Sequence, residues 1–394
     1  MKILMLCEFY NETLEYQENL LVKYYIKNGH QVTVVTSTFD SVFDYYNDRH
    51  DNSISPKVYF DGDAKIIKLR YRYNVLNRLR AYTCIDGILA EEAPDLIYVH
   101  DISPNFPEVI RYVRAHPRSR VIMDYHADYS NSGKNWVSLK ILHGILRKWF
   151  LDKARPYLSK IFVVVPASAR FLNEVYKVPN DEIELLPLGA DLDTCAEVKK
   201  AQCGRTLRRK LGIRDEAIVI FTGGKLDPLK RTELLIEAVG RMAHLPLELV
   251  VVGDSDPTNK RYGDHLRSMA AGSANVRFTG WLKPRDIYGY LDMADIAVFP
   301  ASQSILWQQA IAMGLPLIVG DTGEQDVSYL NLYENIIILQ SEEITSKKIE
   351  QMVSEVILGP QRLRAMSMGA QRVAYECLNW DVLIQKTIQF CPPS

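Results

Sequence analysis

The sequence AIVIFTGGKLDPLKRTELLIEAV runs from Ala217 to Val239 and decides the fold of its half of the chain. Its apolar run Ala217–Thr222 predicts a buried strand, and apolar residues at helical spacing predict a helix over Thr232–Ala243. A strand followed by a short loop and a helix is the first part of a βαβ unit. Because such connections are right-handed and return to the same sheet, a parallel sheet is expected.

The loop between this strand and helix predicts an anion site. Gly223 and Gly224 let a phosphate approach the backbone closely, and the helix start adds the positive end of its dipole. Lys225 and Lys230 place two ammonium groups near one anion. The alternative is a plain turn with two solvated lysines. Neither the P-loop nor the dinucleotide-binding glycine pattern is present, so neither class of protein is indicated.

The same alternation of strands and helices extends over the whole chain. The predicted strands are Lys2–Cys7, Gln31–Thr36, Lys65–Leu69, Asp95–Val99, Arg120–Met123, Lys160–Val165, Ile183–Leu186, Ala217–Thr222, Leu247–Val252, Val276–Thr279, Ile296–Pro300 and Leu315–Val319. The predicted helices include Gln17–Lys27, Leu76–Glu92, Pro107–Ala115, Trp136–Tyr157, Arg285–Met293, Leu306–Met313, Ser346–Ile357, Gln361–Glu376 and Asp381–Ile388. Ligands of such sheets bind beyond the carboxyl ends of the strands, so chemistry is expected in the strand-to-helix loops.

The alternation breaks at PLGAD, residues 187–191, and a polar stretch follows. This places a domain boundary there, between residues 1–190 and residues 191–375. The expected fold class is α/β, with two Rossmann-like, doubly wound parallel-sheet domains facing an interdomain cleft. A last helix, within residues 376–394, is expected to pack back on the N-terminal domain.

Composition excludes several classes of protein. The chain has 394 residues, 47% hydrophobic, and its 47 Lys+Arg balance 48 Asp+Glu, so no charge excess points to nucleic acid. Its six cysteines are scattered without metal-ligand spacing and are expected to be reduced thiols of a cytoplasmic protein. No apolar run approaches the roughly 20 residues of a membrane-spanning helix, and no signal peptide is expected.

A second loop, ASQSILWQQA at Ala301–Ala310, follows another predicted strand. Backbone N–H groups at Ser304-Ile305-Leu306 are unsatisfied at a helix start and offer a further anion site. The amides of Gln308-Gln309 suit sugar hydroxyls. The alternative, which the pattern alone favours, is an amphipathic helix start with Trp307 in the core and both glutamines exposed.

A third loop, DYHADYSNS at residues 124–132, is densely polar. His126 stands just past a predicted strand end. Asp124 and Asp128 could suggest a metal, but neither carboxylate has a clear third ligand, so no metal site is predicted.

Seven tracts carry a family resemblance through their order and spacing. They are KNGHQVTVVTS, IELLPLGAD, FTGGKLDPLK, LVVVGD, VRFTGWLKPRDIYGYLDMADIAVFP, QAIAMGLPLIV and a late NW at Asn379-Trp380. Together they resemble glycosyltransferase family four, whose members are retaining sugar transferases of the GT-B fold. YQENLLVKYY, DYHADYSNSGKNW and SILWQQA further resemble a subgroup found among bacterial surface-polysaccharide enzymes.

The resemblance implies an enzyme with an acceptor-binding first domain and a nucleotide-sugar-binding second domain. In the family, the basic residue after the glycine pair and the lysine five positions on hold the nucleotide diphosphate, here Lys225 and Lys230. The family histidine that faces the transferred sugar falls on His126. Segments at Gly253-Asp254 and Trp281-Leu282 would border the nucleotide base. Lys225 departs from the usual Arg, which keeps the charge but loses the bidentate fork.

Two further departures concern substrate recognition. The family's paired glutamates are missing, because Ala301–Ala310 contains no carboxylate and Gln309 stands in the Glu-Ala position. The glycine pair usual after the first strand is replaced by a segment containing Tyr16, Gln17 and Asn19, which are expected to contact the acceptor.

His100 and Asp101 are weaker acceptor-site candidates. They lie just beyond a predicted strand end, and roles in a helix cap or the core are at least as well supported by the sequence.

The implied reaction moves a sugar from a nucleotide-diphosphate sugar to a glycan or lipid-linked saccharide. Charge develops on the departing diphosphate, so electrostatic stabilisation there is expected to be the largest catalytic effect. The lysines and the N–H groups of the second loop would supply it without a metal or another cofactor. The rival interpretations are a sugar-nucleotide 2-epimerase and a non-catalytic nucleotide-sugar-binding subunit.

Basic residues are concentrated between Arg111 and Lys160, which would suit peripheral contact with an anionic membrane. The predicted helix Trp136–Tyr157 has apolar residues on one side and basic residues on the other. The favoured interpretation is a helix whose apolar side, including Ile145, Leu146 and Trp149, packs on the sheet.

Overall fold

The structure is a computed structural model that describes residues 1–39, 55–75, 78–83, 85–132, 135–323 and 326–392. The chain divides into two compact units. The first comprises Met1–Pro187 together with the segment from Trp380 onward, and the second comprises Leu188–Asn379.

The first unit contains one large sheet and a separate hairpin. Its strands are β1 (Lys2–Leu6), β2 (Gln31–Ser37), β3 (Lys57–Asp61), β4 (Ala64–Leu69), β5 (Tyr71–Val75), β6 (Leu79–Tyr82), β7 (Leu96–His100), β8 (Arg120–Tyr125), β9 (Leu158–Val163) and β10 (Ile183–Leu185). The sheet order is β10-β9-β8-β7-β1-β2-β4-β3, with all neighbours parallel except β3 and β4, while β5 and β6 form the antiparallel hairpin.

Helices connect these strands. They are α1 (Gln17–Lys27), α2 (Asp86–Glu92), α3 (Phe106–Ala115), α4 (Ser138–Arg147, with the wider hydrogen bonding of a π-helix), α5 (Lys148–Ala154), α6 (Pro166–Phe171, extended by a turn over Leu172–Tyr176) and the last helix, α15 (Trp380–Ile388). Apolar residues of the strands fill a buried core on each face of the sheet, as parallel sheets covered by helices require.

The second unit is built on a six-stranded sheet that is parallel throughout. Its strands are β11 (Ile218–Gly223), β12 (Leu247–Val252), β13 (Val276–Gly280), β14 (Ile296–Phe299), β15 (Leu317–Gly320) and β16 (Ile336–Leu339), in the order β13-β12-β11-β14-β15-β16. Its helices are α7 (Leu192–Lys200), α8 (Cys203–Lys210), α9 (Thr232–Arg241), α10 (Lys260–Ala270), α11 (Pro284–Met293), α12 (Leu306–Ala312), α13 (Ser346–Ile357) and α14 (Pro360–Val373, extended over Ala374–Leu378).

Both sheets reverse their strand order once. In the first unit the order runs outward from β1 through β2 on one side and from β7 through β8 on the other; in the second unit β11 and β14 start the two directions. This is the order of doubly wound folds, in which ligands bind beyond the carboxyl ends of the strands at the reversal. The predicted α/β fold class with parallel sheets is confirmed.

The predicted helix Leu76–Glu92 is wrong in its first half and right over Asp86–Glu92. The described part of this segment forms β6 of the hairpin and then the short α2; Leu76, Asn77 and Cys84 lie outside the described residues. The β6 conformation is held by tertiary contacts, because Arg80 bonds the Glu8 carboxylate and Tyr82 donates its hydroxyl to the Cys7 carbonyl.

Several elements were not expected from the sequence. They are β3, β5, β16, α7, α8 and α10. The polar stretch after the domain boundary is helical because Asp191 caps α7, accepting the Thr194 N–H at 3.2 Å.

The last helix packs against the first helix of its unit. Trp380 is fully buried, the hydroxyls of Tyr25 and Thr387 are 2.6 Å apart in the interior, and Lys27 forms an ion pair with Asp381 at 2.8 Å. Separately, among the described residues no helix is both long enough and apolar enough to cross a bilayer.

Trp380→Ala should lower the free energy of unfolding by about 3–5 kcal/mol, because it removes a large side chain from a closed core. The measurement is urea denaturation followed by circular dichroism. Val382→Ala, on the same helix at 42% exposure, is the matched control and should change the free energy by no more than about 0.5 kcal/mol. Equal effects of the two substitutions would show that α15 is not held by its core contact.

Candidate functional site

Lys230 lies where the strand order of the second sheet reverses. The β11 loop carries it, and its Nζ is 3.5 Å from the Gln303 carbonyl oxygen in the loop after β14. Burial lowers the pKa of Lys230, and the carboxylate of Asp227 opposes this shift. Lys230 forms no ion pair with any residue that the structure describes. The Lys230 ammonium is therefore partly desolvated, and no carboxylate of the described residues forms an ion pair with it.

Glycines allow the backbone to pack closely beneath this ammonium. Gly224 has φ +110°, and a Cβ there would lie 3.2 Å from Cε and 3.4 Å from Nζ of Lys230. Gly253, after β12, has φ +108°, and its Cβ would be 2.1 Å from the Gly224 carbonyl oxygen. A larger residue at Gly253 would therefore force the two loops apart, and one at Gly224 would displace the Lys230 side chain.

Lys225 is placed differently from Lys230. Its Nζ forms an ion pair with Asp256 at 2.6 Å, with 44% of its side chain exposed. That hydrogen bond is the main cause of the lowered pKa of Asp256. The two lysines were expected to lie near one anion; in the structure Lys225 is already paired with Asp256, and Lys230 has no ion-pair partner among the described residues.

The second loop agrees only in part with the amphipathic-helix interpretation given for it. Trp307 is buried as predicted, but Gln308 and Gln309 are buried too, so the interpretation with exposed glutamines is wrong. Gln308 donates its amide to the Tyr329 hydroxyl at 3.1 Å. In the described part of the chain, Oε1 of each glutamine is buried without a hydrogen-bond partner.

The N–H groups at the start of α12 are less available than the sequence suggested. The Leu306 N–H donates to Ser304 Oγ at 3.3 Å, so it is not free. Ile305 precedes a helix of only seven residues, whose dipole is correspondingly short.

The segments predicted to border the base lie at the carboxyl ends of β12 and β13. The Gly253 N–H donates to the Gly280 carbonyl at 2.9 Å, which ties the two loops together. Trp281 is 61% exposed, while Leu282 packs partly against the core. Asp254 accepts a hydrogen bond from Arg267 at 2.7 Å; burial disfavours the Asp254 carboxylate, but this bond and the Ser255 N–H lower its pKa.

In the first unit, a histidine pair surrounds a buried aspartate. His100 and Asp124 are paired in register on β7 and β8, and His100 Nδ1 lies 3.0 Å from an Asp124 oxygen. His126 Nε2 is 3.2 Å from the same carboxylate, and the two imidazole rings are 4.5 Å apart. Tyr98 donates its hydroxyl to Asp124 at 2.9 Å, and His100 Nε2 reaches Glu18 at 3.2 Å.

The charges of this cluster stabilise one another. Burial alone would lower the pKa of His100, but Asp124 and Glu18 outweigh it and raise that pKa to about 10. Burial would likewise disfavour the Asp124 carboxylate, but both histidines hold its pKa well below the usual range. His100 is therefore an imidazolium at neutral pH. Its partner Glu18 lies on α1, which follows β1, and β1 and β7 are the two strands at which the strand order reverses.

This cluster also answers the question of metal ligands. His100, Asp124 and His126 each present one ligand atom, all within 4.8 Å of one another, so the expectation that Asp124 lacks further ligands nearby is wrong. Nevertheless, a His100 ring that donates both N–H groups to carboxylates has no lone pair for a metal. In the structure the three side chains are joined to one another through the Asp124 carboxylate.

The remaining acceptor candidates have mixed surroundings. Gln17 is buried, and its amide has no hydrogen-bond partner among the described residues. Tyr16 is 44% exposed beside it. Asn19 caps α1, accepting the Tyr16 N–H at 3.2 Å and donating to the Asn11 carbonyl. Asp101, at φ +66°, forms a 2.5 Å ion pair with Arg147.

Sequence reasoning missed Asp124, Glu18, Arg147 and Asp256 as parts of these sites. Asp124 had a usable signal, because this charged residue directly follows the apolar run Val121–Met123, and the neighbouring strand ends in His100. The other three contact their partners only through the tertiary fold, and nothing in their local sequence indicates it.

Two family models match the chain. The one described as Glycosyltransferase Family 4 matches residues 19–194, and the one described as Glycosyl transferases group 1 matches residues 216–355. The chain is thus a glycosyltransferase, with one region matched by each of these two models. The matched regions contain the histidine cluster and the Lys230 loop, respectively.

Curated relatives of this glycosyltransferase are distant. YtcC of Bacillus subtilis, which carries a provisional glycosyltransferase name, is 27% identical over 311 residues, covering 72% of this chain and 69% of that protein. A GDP-mannose-dependent phosphatidylinositol monomannoside mannosyltransferase of Corynebacterium glutamicum is 26% identical over 213 residues, covering 51% of this chain and 53% of that protein. The chain thus spans about half to two thirds of the length of these relatives.

Solved structures of similar fold cover the whole chain. HepE of Anabaena, solved in complex with UDP, has a TM-score of 0.67 at 15% identity and covers 99% of both chains. This likeness shows that the glycosyltransferase shares the fold of that protein.

His100 should make the stability of the glycosyltransferase pH-dependent above neutrality. Its pKa is about 10 in the fold and about 6.5 in an unfolded chain. Because the folded pKa is the higher one, the charged ring stabilises the fold fully below about pH 6.5, and this contribution is lost as the pH rises toward 10. The difference in free energy of unfolding between the wild type and His100→Gln should therefore shrink from pH 6 to pH 9.5 in urea denaturation.

His244→Gln, at an exposed histidine of the second unit, controls for the loss of a ring as such. A wild-type advantage over His100→Gln that stays constant across this pH range would contradict the charged state assigned to His100.

Proposed function

We propose that this glycosyltransferase moves a sugar from a nucleotide-diphosphate sugar to a glycan or lipid-linked saccharide in surface polysaccharide biosynthesis. We further propose that the anomeric configuration is retained and that no metal or other cofactor takes part. The observation that carries the proposal is Lys230, a partly buried ammonium at the strand-order reversal of the second sheet, without an ion-pair partner among the described residues.

A diphosphate would supply the charge that Lys230 lacks. Removing an ammonium from water without a counter-ion is unfavourable, so a site of this kind gains more from an anion than a solvated lysine does. Because residues 224 and 253 are both glycines, no Cβ projects from these closely packed loops to block a phosphate. Lys225 would take part only by exchanging Asp256 for the ligand. Its contribution should therefore be smaller than that of Lys230.

The rest of the donor would lie along the neighbouring loops. An exposed indole at Trp281 offers a face on which a nucleotide base can stack. The unpaired amide oxygens of Gln308 and Gln309 could accept hydrogen bonds from ribose or sugar hydroxyls. HepE in complex with UDP is a structure of the same fold that binds this kind of nucleotide, which supports a uridine donor as the first to test.

The histidine cluster would serve the sugar and the acceptor. Asp124 fixes the orientation of the His126 ring through Nε2, which leaves Nδ1 to hydrogen-bond the transferred sugar. The buried, unpaired amide of Gln17 and the side chain of Tyr16 would contact the acceptor. We assign His126 a positioning role and not that of a base.

In the proposed reaction the acceptor oxygen attacks the anomeric carbon on the face that the diphosphate leaves. The bond from the anomeric carbon to the phosphate oxygen breaks as the new glycosidic bond forms, and the acceptor proton passes to the departing phosphate oxygen. Lys230 stabilises the charge that develops on the diphosphate, an effect that operates in the transition state more than in the ground state.

Lys230→Ala is the test of the diphosphate site. A thermal-shift screen of UDP, GDP, dTDP and ADP first identifies the nucleotide, and hydrolysis of the corresponding sugar nucleotide then reports turnover. Turnover should fall by about 10²–10³-fold, as on removal of one oxyanion donor, with a smaller loss for Lys225→Ala. Lys347→Ala, at an exposed lysine on α13, should behave as the wild type.

Two outcomes would contradict the diphosphate assignment. One is a wild-type protein that no nucleotide in the screen stabilises against heat. The other is near-normal turnover in Lys230→Ala at saturating donor.

Removal of metal ions should leave turnover unchanged, because the charge of Lys230 replaces a metal in stabilising the diphosphate. The measurement is sugar-nucleotide hydrolysis before and after dialysis against EDTA. A loss of turnover that added Mg²⁺ or Mn²⁺ restores would overturn the metal-free mechanism.

A further inference from the structure

Six large apolar side chains are exposed together on one helical stretch of the first unit. Val137, Ile141, Ile145 and Trp149 are four residues apart, and Trp136 and Leu146 flank them; we call these six residues the apolar face. Their exposed fractions run from 41% at Ile141 to 67% at Trp136. Side chains four apart on a helix are neighbours, so these residues form one continuous patch.

The apolar face corrects the sequence prediction for this helix. Ile145, Leu146 and Trp149 were expected to pack on the sheet, yet they are 60%, 42% and 50% exposed. Single exposed apolar residues are ordinary, whereas a contiguous patch marks a surface that is covered in use.

A cavity of about 370 Å³ opens beside the apolar face. Six of its lining residues are apolar: Val75 and Leu79 of the β5–β6 hairpin, and Val137, Ile141, Leu142 and Leu146 of the helix. Since Val137, Ile141 and Leu146 belong both to the cavity and to the apolar face, the two surfaces are continuous. The volume lies in the range of small-molecule sites, about 300–1,000 Å³.

One residue that lines the cavity is connected to the histidine cluster. Arg147 lines the cavity and forms the 2.5 Å ion pair with Asp101. The Asp101 N–H in turn donates to the Asp124 carbonyl at 3.0 Å. One ion pair and one backbone hydrogen bond therefore connect the lining of the cavity to the residues proposed to position the sugar.

The charges and aromatic residues of this stretch favour an anionic bilayer over a protein as the partner. The stretch from Trp136 to Ala154 carries four basic residues, Lys140, Arg147, Lys148 and Lys153, and the single acidic residue Asp152. Lys140 and Lys153 form no ion pair with any described residue, and Lys153 Nζ lies 3.6 Å from the centre of the Trp149 ring.

Tryptophan near each end of an amphipathic helix, with lysines beside it, is the pattern of helices that lie in the bilayer interface. Each lysine near an anionic surface adds about 1 kcal/mol of attraction.

We propose that the apolar face docks on an anionic bilayer and that the adjoining cavity takes the apolar chain of a membrane-borne, lipid-linked acceptor. Only the acceptor's identity rests on the proposed glycosyl transfer. The docking surface rests on the exposed side chains alone.

Vesicle flotation with the full chain tests the docking surface. Vesicles of phosphatidylglycerol and phosphatidylcholine should bind the wild type at low salt, and Ile145→Ser/Trp149→Ser should bind them at least about tenfold more weakly. The matched control is Leu358→Ser/Met368→Ser, at two side chains of the second unit that are 66% and 69% exposed, which should bind as the wild type does. Equal binding by wild type and the first variant, or none by either, would overturn the proposal.

Sedimentation velocity separates a bilayer from a second copy of the chain. If the wild type forms a concentration-dependent dimer that Ile145→Ser/Trp149→Ser abolishes, the apolar face belongs to a protein interface and the proposal is wrong. A monomer that binds vesicles supports it.

A short-chain lipid tests the cavity. Dihexanoyl-phosphatidylglycerol, below its micelle concentration, should bind the wild type saturably in calorimetry. Leu142→Trp, which fills the cavity, should weaken this binding at least about tenfold while vesicle flotation is unchanged. Binding that is not saturable, or that Leu142→Trp leaves intact, would contradict the cavity assignment.

Nucleotide binding distinguishes this proposal from the proposed function. Stabilisation against heat by UDP should be the same in the wild type, Ile145→Ser/Trp149→Ser and Leu142→Trp. If no nucleotide stabilises the protein but phosphatidylglycerol vesicles still bind it through the apolar face, the donor assignment fails and the docking surface stands.

Discussion

The reversal of strand order in each parallel sheet is the constraint on which both sites depend. At a reversal, the connections of the two central strands leave to opposite faces, so their loops separate and leave an opening at the carboxyl ends. In the second unit Lys230 and the Gln303 carbonyl come together at this point. In the first unit Glu18 and His100 do so. The same reversal of strand order therefore underlies both sites, and the side chains placed there differ.

The side chains give the two openings different electrostatic characters. In the first unit the charges are paired: Asp124 lies between two histidines, and His100 between two carboxylates. Such a network is rigid and has little attraction for a further ion, which suits the positioning of neutral hydroxyl groups. In the second unit Lys230 is left without an ion-pair partner among the described residues, which suits the capture of an anion.

The absence of the family's paired glutamates fits this difference in charge between the two sites. Gln308 and Gln309 are buried in α12, and carboxylates in their place would bring negative charge into the unit that holds the Lys230 loop. An amide keeps the ability to accept a hydrogen bond without neutralising that lysine. Their unpaired Oε1 atoms cost stability in the absence of a ligand, as polar groups kept for binding commonly do.

Local sequence by itself determined the parallel sheets, because uninterrupted apolar strands alternating with amphipathic helices have few other ways to bury their surface. It also indicated the Lys230 loop as a candidate anion site. Paired glycines after a buried strand let an anion approach the backbone, and this can be recognised without knowledge of the tertiary structure. Local sequence failed over Leu79–Tyr82, which the predicted helix Leu76–Glu92 included. Contacts of Arg80 and Tyr82 with the β1 loop fix a strand there instead.

Only the tertiary structure decided which charges are available. Lys225 and Lys230 look equivalent in the sequence, and Asp256, brought close by the β12 loop, pairs with one and not the other. Likewise, helical spacing showed that the stretch from Trp136 has an apolar side, but whether that side faces the core or water depends on what packs against it. Periodicity is a property of one helix, whereas pairing and burial are properties of its neighbours, and that is why the first could be predicted from sequence and the second could not.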